Sequence, residues 1–128
     1  MLIYSIILTL AFVLMLPLFI LRRDKYAPGF SQRLGDYPRF EHDGRPVIWL
    51  HCVSVGEANA ARPLVDKIKE EFPDHGLVIS TTTKTGQELA QKIFADKADG
   101  VFYFPFDWKF SVKKALRTFK PSVVLLME

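Results

Sequence analysis

The sequence predicts an α/β protein: an N-terminal membrane-anchor helix, then a Rossmann-like parallel sheet with helices on both faces. Three observations predict it. From residue 46 onward, short apolar runs alternate with stretches of helical period, in the order strand, helix, strand, helix, strand, helix, strand. The runs stay apolar instead of alternating with polar residues, the mark of strands covered on both faces and therefore parallel. Ahead of them lies an uncharged run of twenty residues, Leu2 to Leu21. As a helix rising about 1.5 Å per residue it spans about 30 Å, the hydrocarbon thickness of a bilayer.

The first element, residues 1–23, reads as an anchor helix. Pro17 lies inside it, which membrane helices tolerate. A cleaved signal peptide is the competing reading. Its apolar core is shorter, roughly 7–15 residues, and follows positive charge; here nothing positive precedes the run and "RRDKYAP" follows it. An uncleaved anchor is therefore favoured. Arg22, Arg23 and Lys25 then place the rest of the chain on the cytoplasmic side.

Residues 24–45 hold Pro28, Gly29, Gly35, Pro38 and Gly44 with little periodicity. They read as a basic connecting segment with one short helix around "GFSQRLGDY". It is either a solvated linker or a segment resting on anionic headgroups, where each basic group contributes about 1 kcal/mol.

Residues 46–128 form the sheet domain. "PVIWLHCVS" is a buried strand. "GEANAARPLVDKIKEEF" is a helix whose Ala61, Leu64, Val65, Ile68 and Phe72 recur at three and four, with Pro63 in an early turn, where it costs least. "PDHG" turns into the strand "LVIST", and "TTKTG" is a polar loop. "QELAQKIFADKA" is a second helix with Leu89, Ile93 and Phe94 on one side. "GVFYFPF" is a third strand. "DWKFSVKKALRTFK" is a third helix, with Trp108, Val112, Ala115, Leu116 and Phe119 as its apolar face, ended by Pro121. "SVVLLME" is the last strand. A doubly wound sheet seldom ends on a bare central strand, so a longer protein is expected. Crossovers in such a sheet are right-handed.

Composition narrows the function. The 128 residues carry a net charge of +3, too mild to indicate a polyanionic partner. No basic helix, finger spacing or ribonucleoprotein motif supports nucleic-acid binding. The single cysteine, Cys52, excludes an internal disulfide and suits a reducing compartment. In a strand it is a small buried hydrophobe before it is a nucleophile. No metal-ligand cluster and no cofactor motif is present. Neither a G-x-G-x-x-G nor a G-x-x-x-x-G-K-[ST] follows a strand, so a nucleotide would have to bind elsewhere.

Ligands of open parallel sheets bind beyond the carboxyl ends of the strands. There the unusual polar residues gather: "SVGE", "TTTKTG", "PFDW" and Glu128. Glu57 opens a helix just past the first strand. An acid there meets the positive end of the helix dipole, worth roughly 0.3–1 kcal/mol. The same field keeps the carboxylate ionised, beside Gly56, which leaves room for a substrate. Such a group can act as general base toward an alcohol. Ser54 either caps that helix or donates to a ligand. His51 reads as a satisfied core histidine. Thr81, Thr82 and Thr83 are strand formers and caps, or donors to sugar hydroxyls. Lys84 is a solvated charge or a phosphate contact.

"HCVSVGE", "STTTKTG", "YFPFDW" and "PSVVLLME", in this order behind an apolar N-terminus, resemble the 3-deoxy-D-manno-octulosonic acid (Kdo) transferases of lipopolysaccharide synthesis. The family pattern is close to H-x-V-S-V-G-E, T-T-x-T-x-T-G, Y-x-P-x-D and M-E-T-E-L-W-P-N. The resemblance implies the N-terminal half of a two-domain glycosyltransferase of the B type, one that takes the acceptor, a phosphorylated, tetraacylated lipid A precursor (lipid IVA). The donor CMP-Kdo would bind a C-terminal domain lying beyond residue 128. It further implies that Glu57 is the proton acceptor and Glu128 stabilises the transition state. Arg33 and Gly35, in "QRLG", match a recurring R-x-G that lies along the acceptor. Ser54, Gly56 and Thr83 are candidate acceptor contacts. Lys84 departs from the pattern, where proline is frequent. The expected setting is the bacterial inner membrane, catalytic domain on the cytoplasmic side, with membrane lipids as partners and no cofactor.

Two other readings remain. One is a different membrane-anchored glycosyltransferase of the B type using a lipid-linked acceptor. The second is a non-catalytic, membrane-tethered interaction domain; the 128 residues alone are expected to be inactive.

Overall fold

A computed structural model describes residues 1–23 and 27–127. Its elements run in the expected order. Helix α1 is Leu2–Leu21 and a short helix, α2, is Phe30–Arg33. Then come β1 (Val47–Cys52), α3 (Val55–Ala60), α4 (Arg62–Glu71), β2 (Gly76–Thr81), α5 (Lys84–Ile93), β3 (Gly100–Tyr103), α6 (Lys109–Phe119) and β4 (Val123–Met127). The four strands form one parallel sheet in the order β3-β2-β1-β4.

Every residue of β1 and β2 is buried, as their unalternated apolar sequences require. One core lies between the sheet and α3, α4 and α5, around Leu50, Ile79, Val65 and Phe94. The other lies on the opposite face, around Trp49, Val78, Phe102 and Phe119. Phe102 and Phe119 stack at 4.0 Å with 13° between their planes. Strand β4 was expected to be central; among the described residues it is an edge, with Val123, Val124 and Leu126 exposed.

Three boundaries differ from expectation. The helix expected over residues 56–72 is two helices meeting at Ala61. Pro63 falls in the first turn of the second; it lacks an N–H and its ring crowds the carbonyl four residues back, so the helix restarts. The polar loop "TTKTG" is instead the start of α5. Thr83 is its N-cap, its hydroxyl accepting from Gly86 N–H at 3.0 Å. Lastly, the inward face of α6 keeps Ala115 and Phe119 as expected but is shifted toward Ser111 and away from Leu116. Ser111, Ala115 and Phe119 are buried, and Leu116, expected inside, is 42% exposed.

Residues 27–45 pack on the sheet. Tyr37 and Phe40 join the second core. At β3, the other edge strand, the Gln32 side chain accepts from Tyr103 N–H at 3.0 Å and the Tyr37 hydroxyl donates to Tyr103 C=O at 3.0 Å. Both unpaired backbone groups of that edge residue are thereby satisfied.

Helix α1 is long and apolar enough to cross a membrane. It does not stand clear of the domain. Phe12 packs against Phe30, Phe106 and Trp108, at 6.2, 6.0 and 5.3 Å between ring centres. The Tyr4 hydroxyl donates to Asp107, and Trp108 Nε1 donates to Thr9 Oγ1 at 3.4 Å. The contacts run along the helix instead of gathering at one end.

Candidate active site

The site stands at the carboxyl ends of β1 and β2, two neighbouring strands at the middle of the sheet. Past Cys52 the chain leaves the sheet at Val53 and starts α3 with Ser54 as N-cap. Ser54 and Glu57 form a capping box. Glu57 Oε2 accepts from Ser54 N–H at 3.1 Å and also from the Ser54 hydroxyl. A box of this kind follows from the S-x-x-E spacing, which sets the fourth residue's side chain back over the cap.

Both bonds fall on Oε2, so among the described residues Oε1 has no hydrogen-bond partner. Glu57 is half-buried, and Gly56 beside it is exposed, with nothing within 4 Å of where a Cβ would stand. The Ser54 hydroxyl, foremost, holds the Glu57 carboxyl below the ordinary carboxylate value of 4.5. Backbone amides add to this, and the His51 side chain contributes weakly. The sequence alone assigned the effect to the helix-end amides, which do contribute; the largest single cause is one hydroxyl.

His51 is buried, as expected. Its Nδ1 lies 2.9 Å from Ser80 Oγ and 3.2 Å from Ser80 O, and its ring packs 4.0 Å from Phe104. Trp49 Nε1 donates to the same Ser80 hydroxyl at 2.8 Å. Burial pulls the imidazole's pKa below its usual 6.5, which keeps it neutral. Cys52 is also buried, its thiol pushed up to about 11 by desolvation, and so is inert.

The second loop is tied to the first. Thr82 N–H donates to Val53 C=O at 3.0 Å. Gly86 lies so close to α3 that a Cβ on it would sit 3.2 Å from the Ser54 backbone and 2.8 Å from Thr83 Oγ1. Only a glycine allows the two helix starts to meet without displacement. No role for Gly86 follows from the sequence pattern alone; its signal is its place three residues after a capping threonine.

Arg33 joins this cluster. Its Nη2 donates to Thr82 C=O, and its guanidinium lies 4.7 Å from the centre of the Tyr103 ring. Burial lowers its pKa, yet a guanidinium remains charged. Among the described residues no carboxylate is within ion-pair distance of it. Together with Thr82, Thr83, Lys84 and Phe30 it lines a pocket of about 630 Å³. Glu57 is not in the lining. Lys84 reaches Glu88 at 4.0 Å.

Gly35, at φ +95°, packs against the Lys114 side chain and ends α2. It serves the backbone and does not line this pocket. Glu128 lies outside the described residues. No group of His, Cys, Asp and Glu able to hold a metal occurs among the described residues.

Residues 28–128 match the profile of a family described as 3-deoxy-D-manno-octulosonic-acid transferase (kdotransferase). The chain belongs to that Kdo transferase family. A 3-deoxy-D-manno-octulosonic acid transferase of Chlamydia pneumoniae is 30% identical over 129 residues, covering 98% of this chain and 29% of that protein. One from Chlamydia muridarum is 32% identical over 105 residues, 81% of this chain and 24% of its own length. A bifunctional glycosyltransferase/methyltransferase of Fusobacterium nucleatum is 39% identical over 82 residues, 63% of this chain and 13% of its own length. The chain thus spans 24% and 29% of the two Kdo transferases. No solved structure matches it. In this member of the Kdo transferase family, "SVGE" and "TTTKTG" meet at one rim, whereas α1 lies ahead of the matched residues.

Proposed function

We propose that this chain is the acceptor-side part of an enzyme that transfers Kdo from CMP-Kdo to a hydroxyl of a lipid A precursor, lipid IVA, in lipopolysaccharide biosynthesis. It rests on the inner membrane with its sheet domain on the cytoplasmic side. A further domain of the same protein, with the B-type glycosyltransferase arrangement, holds the donor. Family membership supports the reaction class. The observation that carries the role of this chain is Glu57 Oε1, which has no hydrogen-bond partner among the described residues, beside a glycine that leaves space and on the same sheet rim as a pocket that joins a cation to apolar walls.

Glu57 accepts the proton of the acceptor hydroxyl as its oxygen attacks the anomeric carbon of Kdo. The bond from that carbon to the CMP phosphate oxygen breaks, and CMP leaves with the electron pair. A carboxylate held below its usual pKa is a weak base. It therefore takes the proton late, once the attacking oxygen has begun to bond and become acidic. CMP is already a good leaving group, so no strong acid is needed. Arg33 and Thr83 contact the acceptor; Ser54 keeps Glu57 ionised and aimed; Gly56 leaves the approach open. Glu128 acts on the developing charge of the transition state.

Glu57→Gln in the full-length protein tests the reading. With CMP-Kdo and the lipid A precursor, transfer should drop by about 10²–10⁴-fold, with the thermal midpoint close to that of the wild type. A near-normal rate in the variant would remove Glu57 from the reaction.

A further inference from the structure

Helix α1 borders three hollows that share side chains. Phe19 and Phe30 wall the pocket of Arg33 and Lys84, and both also wall a second hollow of about 360 Å³, together with Phe12 and Leu16. Phe12 and Phe19 in turn line a third, of about 200 Å³, with Leu8, Ala11 and Trp108. The three are contiguous. Arg33, Lys84 and three threonines line the first hollow; the walls of the other two are apolar except for Arg23 in the second and Asp107 in the third. Between Leu8 and Phe19 the helix rises about 16 Å.

Packed protein leaves few voids larger than a water molecule. Apolar hollows do not hold water well. Here two apolar surfaces touch through Phe12 and leave space on either side of the contact. At its polar end stands a cation that, among the described residues, has no carboxylate partner. That combination suits an amphiphile with an anionic head. We infer that an acyl chain of the glycolipid acceptor lies in the groove between α1 and the domain rim, its phosphorylated sugar over Arg33. This rests on the acceptor reading of the same pocket and extends it. Helix α1 becomes a wall of the substrate site, and the residues lining the groove select for acylation.

The full-length protein in detergent micelles provides the test. Trp108 lines the groove, whereas Trp49, the other tryptophan of these 128 residues, is 3% exposed in the core; the Trp108 signal is read as the difference between the protein and its Trp108→Phe variant. A phosphorylated disaccharide carrying brominated acyl chains should quench Trp108 at a concentration at least fivefold lower than brominated phosphatidylcholine does. Ala11→Phe, which fills the groove without adding an indole, should remove that quenching; Ala11→Leu should weaken it. The same variants should raise KM at least tenfold more for the acylated acceptor than for its deacylated form, with kcat little changed. Equal quenching by phosphatidylcholine would overturn the assignment, and so would equal KM effects on the two acceptors. Selective quenching without any transfer would sink the transferase reading and leave the groove standing. Transfer without selective quenching would do the reverse.

Discussion

Glu57 divides its work between two oxygens. Oε2 is spent on Ser54, where it completes the start of α3, and Oε1 has no hydrogen-bond partner among the described residues, the atom the proposed function uses. Removing the Ser54 hydroxyl loosens both functions. Because that hydroxyl is the chief cause of the lowered pKa, Ser54→Ala should move the acid limb of kcat/KM toward higher pH, read from a pH–rate profile. The sign follows from the chemistry: the base must be ionised, and losing a donor makes ionisation harder. Stability shifts in the same sense. With its folded-state pKa depressed, Glu57 contributes above its unfolded value, and that contribution is lost as pH falls through the folded one. Loss of the cap should also cost about 1 kcal/mol at neutral pH. Much of this was legible, because a capping box is local and S-x-x-E announces it. Which oxygen stays open was not legible, since that depends on what the fold brings near. Gly86 escaped for the same reason: its missing Cβ matters only once α5 lies against Ser54.

At the scale of elements, patterns of three and four found the helices and much of the inward faces of α4 and α5, through Ala61, Val65 and Ile68 and through Leu89, Ile93 and Phe94, but not their ends or the full face of α6. The face of α6 is set by Phe102, Tyr37 and Phe40 meeting Phe119, which turns Ser111 inward and Leu116 out. Sequence spacing alone cannot register partners from other elements. The start of α5 was misplaced because threonines fit a loop as well as a cap; the bond from Gly86 N–H to Thr83 decides it. Gly86→Ala should be the sharper lesion here. Its new methyl would meet both the cap and the Ser54 backbone, so a loss of about 1–3 kcal/mol is expected, measured by denaturant unfolding. Thr83→Ala should cost only about 1 kcal/mol. Equal losses would mean that the two helix starts are not in true contact.

For the whole molecule, parallel pairing followed from unalternated runs, but the order of strands across the sheet did not, and β4, expected at the centre, stands at an edge among the described residues. Nor did the docking of α1. An apolar helix looks the same in sequence whether it stands apart or leans on its own domain. Tyr4 and Thr9 bond the rim without lining the pocket of Arg33 and Thr83. Replacing them together, as Tyr4→Phe with Thr9→Val, removes both bonds. Transfer to an acceptor embedded in vesicles should then fall about tenfold, a drop of about 1.4 kcal/mol. Transfer to a soluble, deacylated acceptor should fall far less. A parallel fall in both would show that the two side chains only support folding.

The seam from Tyr4 to Trp108 has a mechanical consequence. A helix pinned along its flank is a ruler: on the proposed function, the depth α1 takes in lipid would fix the height of Glu57 above the headgroups. Reach would then be a length written into the chain, tuned by where the pins fall, with no search for the plane of the acceptor hydroxyls.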